Sequence, residues 1–239
     1  RMQQCAKKNV KFNFNVVAES QDVLDEKPHT IIIATGGMPN LELFETKKDL
    51  ENVYTSWDII SGDIKLSDNI LIYDEAGDHT GMQSAEIAIK EGSTVEFMTP
   101  DRLISSEIMG MNLTPYLKNL QDKKITYSIA KRLLDVSIKG NKLNALIGSD
   151  YDENFKYNSS YDQVFLNYGI KPLDELYYSL VPFSKNKGEV DYNKFINGDE
   201  QDIIKSDNNK FNLFRIGDAV SSRNIHAAIY DALRLVINL

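Results

Sequence analysis

Eight consecutive residues, Asp74 to Gly81, carry the clearest chemical signal in the sequence. A dinucleotide-binding loop follows G-x-G-x-x-G, whose glycines allow the turn, the approach of a pyrophosphate and close packing of the helix. With Gly81 aligned as the third glycine, Ala76 and Asp78 occupy the first two glycine positions. A carboxylate at position 78 repels a pyrophosphate by about 1–4 kcal/mol and competes for the helix amides as a cap. Ala76, Asp78 and Gly81 therefore predict a NAD(P)-type site with a degenerate phosphate loop.

The residues around this loop predict the elements that position it. Asn69–Tyr73 is typical of a buried strand, residues 81–91 have helical apolar spacing, and residues 93–98 return as a strand. This strand–loop–helix–strand unit of about 30 residues has the size of a mononucleotide-binding half.

Two further glycine turns follow predicted strands. Thr35, Gly36 and Gly37 end an Ile-rich strand that begins at 30, and Gly217 and Asp218 follow an apolar strand that begins at 211. Asp218 can accept hydrogen bonds from ribose or ribityl hydroxyls, while the helix after it offers amides to a phosphate. We predict these five residues to be cofactor-binding. The alternative is that Asp218 only caps the helix predicted over 224–237.

Composition restricts the class of protein. The 27 basic and 35 acidic residues give a net charge of -8, which argues against a nucleic-acid or anionic-membrane partner. Cys5 is the only cysteine, so this sequence provides neither an internal disulfide nor the thiolates of an iron–sulfur cluster or zinc site. No segment predicts a membrane span or a signal peptide, and the expected location is the cytoplasm.

The expected fold is α/β, with two interleaved Rossmann-type domains and a small antiparallel layer. Residues 58–168 are predicted to form the NAD(P)-type domain. Residues 1–57 and 169–239 are predicted to form an FAD- or ADP-type domain that is truncated at its N-terminus. The antiparallel layer is predicted from a hairpin around 139–141, and 182–207 is predicted to be a flexible surface excursion.

The acidic run from Ile72 to Gly81, the Thr-Pro-Asp-Arg sequence at 99–102, and the ATGG and IGDA runs together resemble a known family. They are similar to the C-terminal region of the NADH:flavin oxidoreductases related to trimethylamine, histamine and dimethylglycine dehydrogenases and to 2,4-dienoyl-CoA reductase. The resemblance covers essentially the whole chain.

The resemblance implies cofactors and partners. In that family an N-terminal barrel carries FMN and a 4Fe-4S cluster, and the C-terminal region holds FAD, ADP or no nucleotide. By resemblance the barrel, the cluster cysteines and the first glycine-rich loop would lie before Arg1, and the barrel would be the partner of this region. No catalytic residue and no metal site are predicted within 1–239.

Three hypotheses follow for the function of this region. The first is a non-catalytic nucleotide-fold region of a flavin-dependent amine dehydrogenase or enoate reductase. The second is a docking module that binds no nucleotide and contacts an electron-transfer partner or subunit. The third is an NAD(P)H-binding domain that feeds an upstream flavin, with Arg102 or a partner supplying positive charge at the loop, and it predicts tighter binding after Asp78→Gly.

Overall fold

The computed structural model describes residues 2–41 and 50–237. Its helices are α1 (Met2–Ala6), α2 (Ser20–Asp25), α3 (Ser56–Ser61), α4 (His79–Lys90), α5 (Gly110–Leu120), α6 (Glu175–Leu180), α7 (Tyr192–Asn197) and α8 (Ile225–Val236). Its strands are β1 (Thr30–Ile33), β2 (Gly37–Pro39), β3 (Val53–Thr55), β4 (Asn69–Asp74), β5 (Thr94–Met98), β6 (Ile125–Ser128), β7 (Arg132–Lys139), β8 (Lys142–Gly148), β9 (Tyr157–Tyr161), β10 (Gln163–Asn167), β11 (Ile170–Pro172) and β12 (Asn212–Arg215). Short 3-10 helices cover Val181–Phe183 and Gly217–Ala219.

The chain forms two compact units. The first unit contains the described residues up to 37 and those from 172 onward, and the second contains those from 38 to 171. The predicted boundary at 57 differs from this division, because β3 belongs to the sheet of the second unit. Residues 49–65, which show no strong period, contain β3 and α3 in their described part, whereas Asp49 and Arg1 lie outside the described residues.

A five-stranded sheet organises the second unit. Its order is β3-β10-β4-β5-β6, and every pairing is parallel. After β4 the chain runs through α4 to β5 and then through α5 to β6, so β5 and β6 lie on one side of β4. Strands β10 and β3 lie on the other side. The carboxyl ends of β4 and β10 therefore form the topological switch point, where open α/β sheets bind their ligands.

The sequence of β4 explains why it occupies the centre of this sheet. Five of its six residues are buried, which is typical of a parallel strand covered on both faces. Ile70 and Ile72 share a core with Met82, Ala85 and Ala88 of α4. The alternate residues of β4 pack on the other face, in a core that contains side chains of β7, β8 and β9.

The antiparallel layer is the sheet β7-β8-β9. The predicted hairpin is confirmed, because Lys139 pairs with Lys142 across the turn at Gly140, whose φ of +63° suits glycine. Residues 157–161 extend the layer by pairing with β8.

The first unit has a smaller sheet in which β1 pairs in parallel with β12, and Ile33 lies opposite Arg215. The predicted closing helix is confirmed as α8, and several residues of its apolar side are exposed. Ile225, Ile229 and Leu233 are 71%, 49% and 52% exposed. The buried residues of α8 are Asp231 and Leu235.

The segment 182–207 is anchored in the structure, which differs from the predicted flexible excursion. It contains α7 and the buried Asn186, whose side chain accepts a hydrogen bond from Leu213 N at 2.9 Å and donates to Leu213 O at 2.8 Å. Asn186 thereby pairs with the backbone N–H and C=O of Leu213 in β12. In the described part of the first fifteen residues, α1 precedes an irregular segment. None of the described helices is long and apolar enough to cross a membrane.

Packing of β4 gives the first testable prediction. Ile72 is fully buried, so Ile72→Ala leaves a cavity and we expect it to lower the free energy of unfolding by about 2–5 kcal/mol. Leu103, 71% exposed in the same unit, provides the matched control, and Leu103→Ala should change it by less than about 0.5 kcal/mol. Urea titrations followed by fluorescence of Trp57, the single tryptophan, report on the second unit directly. Equal destabilisation by the two variants would contradict the central position of β4.

Candidate functional site

The candidate site of the second unit is the acidic loop, residues 74–81, at the switch point of the sheet. Asp74 ends β4, Asn167 ends β10, and the two residues are paired in the register of the strands. Because parallel strands deliver their carboxyl ends to the same edge, these side chains meet in the crevice that would receive a nucleotide.

Asp74 is fully buried beneath the acidic loop. Its Oδ1 accepts hydrogen bonds from Gly77 N at 3.1 Å and from Asn167 Nδ2 at 2.8 Å. Its Oδ2 has no hydrogen-bond partner among the described residues. Burial, with a smaller contribution from the nearby Asp78, raises the pKa of Asp74 to about 7, although the hydrogen bonds from Gly77 and Asn167 act in the opposite direction.

Asp78 is the N-cap of α4. Its Oδ1 accepts from Thr80 N at 2.9 Å and from Asn167 Nδ2 at 3.1 Å. The helix N-terminus, which attracts anions through its free amides and dipole, therefore already has a carboxylate of the protein bound to it. The expected competition between Asp78 and a pyrophosphate is consistent with this geometry.

The backbone amides of the acidic loop are also occupied. The amides of Glu75 and Ala76 both donate to Asn167 O, at 2.9 Å and 3.2 Å, and Gly77 N donates to Asp74. A phosphate bound in a glycine-rich loop uses such amides as donors. Here the ligand would have to displace hydrogen bonds that the protein makes with itself.

Both glycines of the acidic loop serve close packing. A Cβ at Gly77 would lie 2.8 Å from Ser106 Oγ, and Glu107 N donates to Gly77 O at 3.0 Å. A Cβ at Gly81 would lie 2.9 Å from the carboxyl carbon of Asp74. Gly81 thus keeps the packing role expected of the third glycine, with a side chain of β4 as its neighbour.

Arg132 neutralises the remaining carboxylate of the loop. Arg132, at the start of β7, forms an ion pair through Nη1 with Glu75 Oε1, which also accepts from Tyr73 OH at 3.1 Å. The same guanidinium donates through Nε and Nη2 to Asp150 at 2.5 Å and 2.7 Å. This ion pair lies within the protein, and the hypothesis that Arg102 or a partner supplies positive charge to a bound nucleotide stays a prediction.

Sequence reasoning missed Asn167 and Arg132. The signal for Asn167 was a polar residue at the end of the fully buried strand β10. Arg132 had no comparable signal, because its partner Glu75 lies 57 residues earlier in the chain.

In the first unit, the two predicted glycine turns follow β1 and β12 and therefore lie at the same edge of their sheet. Thr35 is exposed, and its Oγ1 donates to Leu173 O. Gly36 has a φ of +74°, and open space surrounds the position of an added Cβ. Gly37 begins β2 and is half-buried. This edge leaves room beside the backbone of the turn.

The second turn of the first unit contains Gly217 and Asp218. Gly217 N donates to Asp231 Oδ2 at 3.0 Å, and Asp218 Oδ1 accepts from Arg223 N at 3.1 Å. The N-cap of α8 is Asn224, whose side chain accepts from the backbone of the first turn of the helix. The alternative that Asp218 caps this helix is therefore wrong. Among the described residues no cluster of three or more His, Cys, Asp or Glu side chains could hold a metal ion.

These features define a class of protein. The fold is α/β with a parallel sheet, similar to that of two thioredoxin reductases of known structure that are each 16% identical to the chain. No family model matches the chain. In the structure of a 2-naphthoyl-CoA reductase complex, the similar region covers 100% of this chain and 31% of that chain, with a TM-score of 0.76 and 18% identity.

Curated relatives are more specific. The chain is 49% identical over 236 residues to a probable N-methylproline demethylase of Rhizobium meliloti, and this match covers 99% of the chain. It is 30% identical over 239 residues to an N,N-dimethylglycine/sarcosine dehydrogenase of Chromohalobacter salexigens, covering 96% of the chain. The chain spans about a third of the length of these relatives, 34% in each. The predicted resemblance to a C-terminal FAD/NAD(P) region of this dehydrogenase and demethylase family is thereby confirmed.

The buried carboxyl group of Asp74 gives a prediction on pH. The folded pKa of about 7 lies above the ordinary value of 3.8, so between these pH values the folded state retains a proton that the unfolded state releases. The contribution of Asp74 to the free energy of unfolding therefore falls as the pH rises from about 4 to 7, by as much as about 4 kcal/mol. Asp74→Asn stays neutral at every pH. The difference in free energy of unfolding between this variant and the parent should therefore shift in favour of the variant as the pH rises from 4 to 8.

Urea unfolding at a series of pH values, followed by Trp57 fluorescence, measures this difference. Asp68→Asn is the matched control, because Asp68 is exposed in the loop just before β4 and its variant should run parallel to the parent. A constant difference between Asp74→Asn and the parent from pH 4 to 8 would contradict a raised pKa at Asp74.

Proposed function

We propose that this chain is the C-terminal nucleotide-fold region of a flavin-dependent oxidoreductase related to amine dehydrogenases and demethylases. In this proposal the chain consists of two interleaved Rossmann-type domains, which correspond to the two units. The first unit is an incomplete FAD- or ADP-type domain, and the second is an NAD(P)-type domain that no longer binds its nucleotide. Catalysis, with FMN and a 4Fe-4S cluster, belongs to another part of the full-length protein, and this region by itself has no catalytic activity.

The observation that carries the proposal is the self-satisfied acidic loop. Asn167 receives two loop amides on its carbonyl and donates its side-chain amide to both Asp74 and Asp78. A pyrophosphate would lose the attraction of the helix N-terminus, which Asp78 already caps, and would meet the field of that carboxylate. The residues of the second unit therefore do not fit NAD(P).

The first unit fits a nucleotide better. Gly36 leaves open space at the edge of the sheet, and Asp218 is half-exposed with one carboxylate oxygen engaged by Arg223 N. In the part of the chain that the structure describes, the other oxygen of Asp218 accepts no hydrogen bond. These residues would hold FAD or ADP through ribose or ribityl hydroxyls, and the bound flavin would supply electron transfer.

The exposed apolar face of α8 supports the proposal that another part of a protein packs against the first unit. Ile225, Ile229, Leu233 and Val236 recur at helical spacing and are all about half or more exposed. A stripe of this kind marks an interaction surface. In addition, among the described strands β1 and β12 pair only with each other, and two paired strands are fewer than an independently stable sheet needs. We assign this contact to the barrel of the same polypeptide, in line with relatives about three times as long.

Isothermal titration with ADP, FAD, NADH and NADPH tests this function. We expect micromolar binding of ADP or FAD, which Asp218→Ala weakens at least about tenfold because a charge-assisted hydrogen bond is lost. We expect no binding of NADH or NADPH, either by the parent or by Asp78→Gly, because the amides of Glu75, Ala76 and Gly77 remain occupied.

Each rival function gives a different result in these titrations. NADH binding that Asp78→Gly strengthens would favour an NAD(P)H-binding domain and contradict the closed loop. Absence of binding for all four nucleotides would favour a docking module. Asp63→Ala, which changes an exposed carboxylate of the second unit, should leave the binding of ADP or FAD unchanged.

A further inference from the structure

A buried carboxylate supports the turn that contains Asp218. Asp231 lies on α8, and its side chain is only 7% exposed. Its Oδ2 accepts from Gly217 N at 3.0 Å and forms an ion pair with Arg223 Nη2, while Oδ1 accepts from Arg223 Nη1 at 3.4 Å. Asp231 therefore joins the helix to both ends of the segment 217–223.

The contacts of Arg223 continue this network to Asp218. The backbone amide of Arg223 donates to Asp218 Oδ1 at 3.1 Å, and its Nη2 lies 3.5 Å from Gly217 O. Asp231 thus contacts Gly217, which precedes Asp218 in the sequence. It also holds Arg223, whose amide binds the Asp218 carboxylate.

The packing of Gly217 shows that the turn has little freedom to move. Its φ is +62°, and an added Cβ would lie 3.2 Å from Ala228 Cβ of α8. A left-handed residue pressed against a helix needs its amide satisfied locally, and the buried carboxylate of Asp231 provides the acceptor. A buried carboxylate is itself unfavourable unless it is paired and hydrogen-bonded, and Arg223 and Gly217 meet both conditions.

We propose that Asp231 is a positioning residue for the nucleotide site of the first unit, acting through Arg223 on the carboxylate of Asp218. The inference rests on the proposed function, in which Asp218 binds hydroxyls of FAD or ADP. Asp231 itself contacts no ligand in this account. It fixes the turn and one oxygen of Asp218, so that the other oxygen is presented to the ligand without a cost of ordering on binding.

Two variants and their combination test the proposal. Asp231→Asn keeps the shape and an acceptor for Gly217 N but removes the ion pair, and Arg223→Gln removes the same pair from the other side. The first readout is hydrogen exchange of the backbone amide at position 223, which donates to Asp218 in the parent and is present in both variants. We expect each variant to accelerate this exchange at least about tenfold, while the amide of Leu213 in β12 stays protected.

The second readout is the dissociation constant for ADP. We expect each variant to weaken binding at least about tenfold, and the double variant to weaken it no more than either single change, because both act through one pair. Asp202→Asn is the matched control, since it removes the exposed Lys194–Asp202 ion pair of the same unit and should leave both readouts unchanged.

The two readouts separate the inference from the proposed function. Unchanged exchange of the amide at position 223 in both variants, or additive losses of ADP affinity, would overturn the positioning role. Suppose that the parent binds neither ADP nor FAD, while the amide at position 223 exchanges faster in both variants than in the parent. The proposed function then fails, and the role of Asp231 in holding Asp218 stands. If ADP binds the parent and both variants equally, the proposed function stands and the positioning role fails.

Discussion

The arrangement of the second unit depends on Asn167, which lies where a dinucleotide would be bound. Its carbonyl accepts hydrogen bonds from two loop amides, and its side-chain amide donates to the carboxyl groups of Asp74 and Asp78 at the switch point. Because a buried polar group costs free energy unless it is hydrogen-bonded, this set of contacts holds the acidic loop in one conformation. The carboxylate of Asp78 then occupies the helix N-terminus that would otherwise attract a phosphate.

Each of the three carboxyl groups of the acidic loop is stabilised in a different way. Asp74 is buried with a raised pKa, Glu75 is paired with Arg132, and Asp78 caps α4. Three acidic residues in five positions therefore do not form an open anionic surface. The antiparallel layer contributes directly to this charge balance. Arg132 is the first residue of β7, and its ion pair with Glu75 connects the small sheet to the loop.

The sequence predicted much of this fold, and its failures have physical causes. The buried run of β4, the hairpin at 139–141 and the helices after the acidic loop and after the turn at Gly217 follow local patterns that the structure confirms. The exposure of the apolar side of α8 could not be predicted, because periodicity identifies an apolar stripe but does not say what covers it. Asn167, Arg132 and Asp231 were missed because each acts through partners distant in sequence, or through a charge at a position that the pattern predicts to be a solvated face.

The central claim is that the amides of the acidic loop are satisfied by the protein itself. Residue-resolved hydrogen exchange of Glu75, Ala76, Gly77 and Thr80, measured with and without a large excess of NADH, tests this claim most directly. The structure predicts slow exchange of all four amides, with rates that NADH does not change. Fast exchange of these amides in the free protein, or protection that appears only with NADH, would contradict the account.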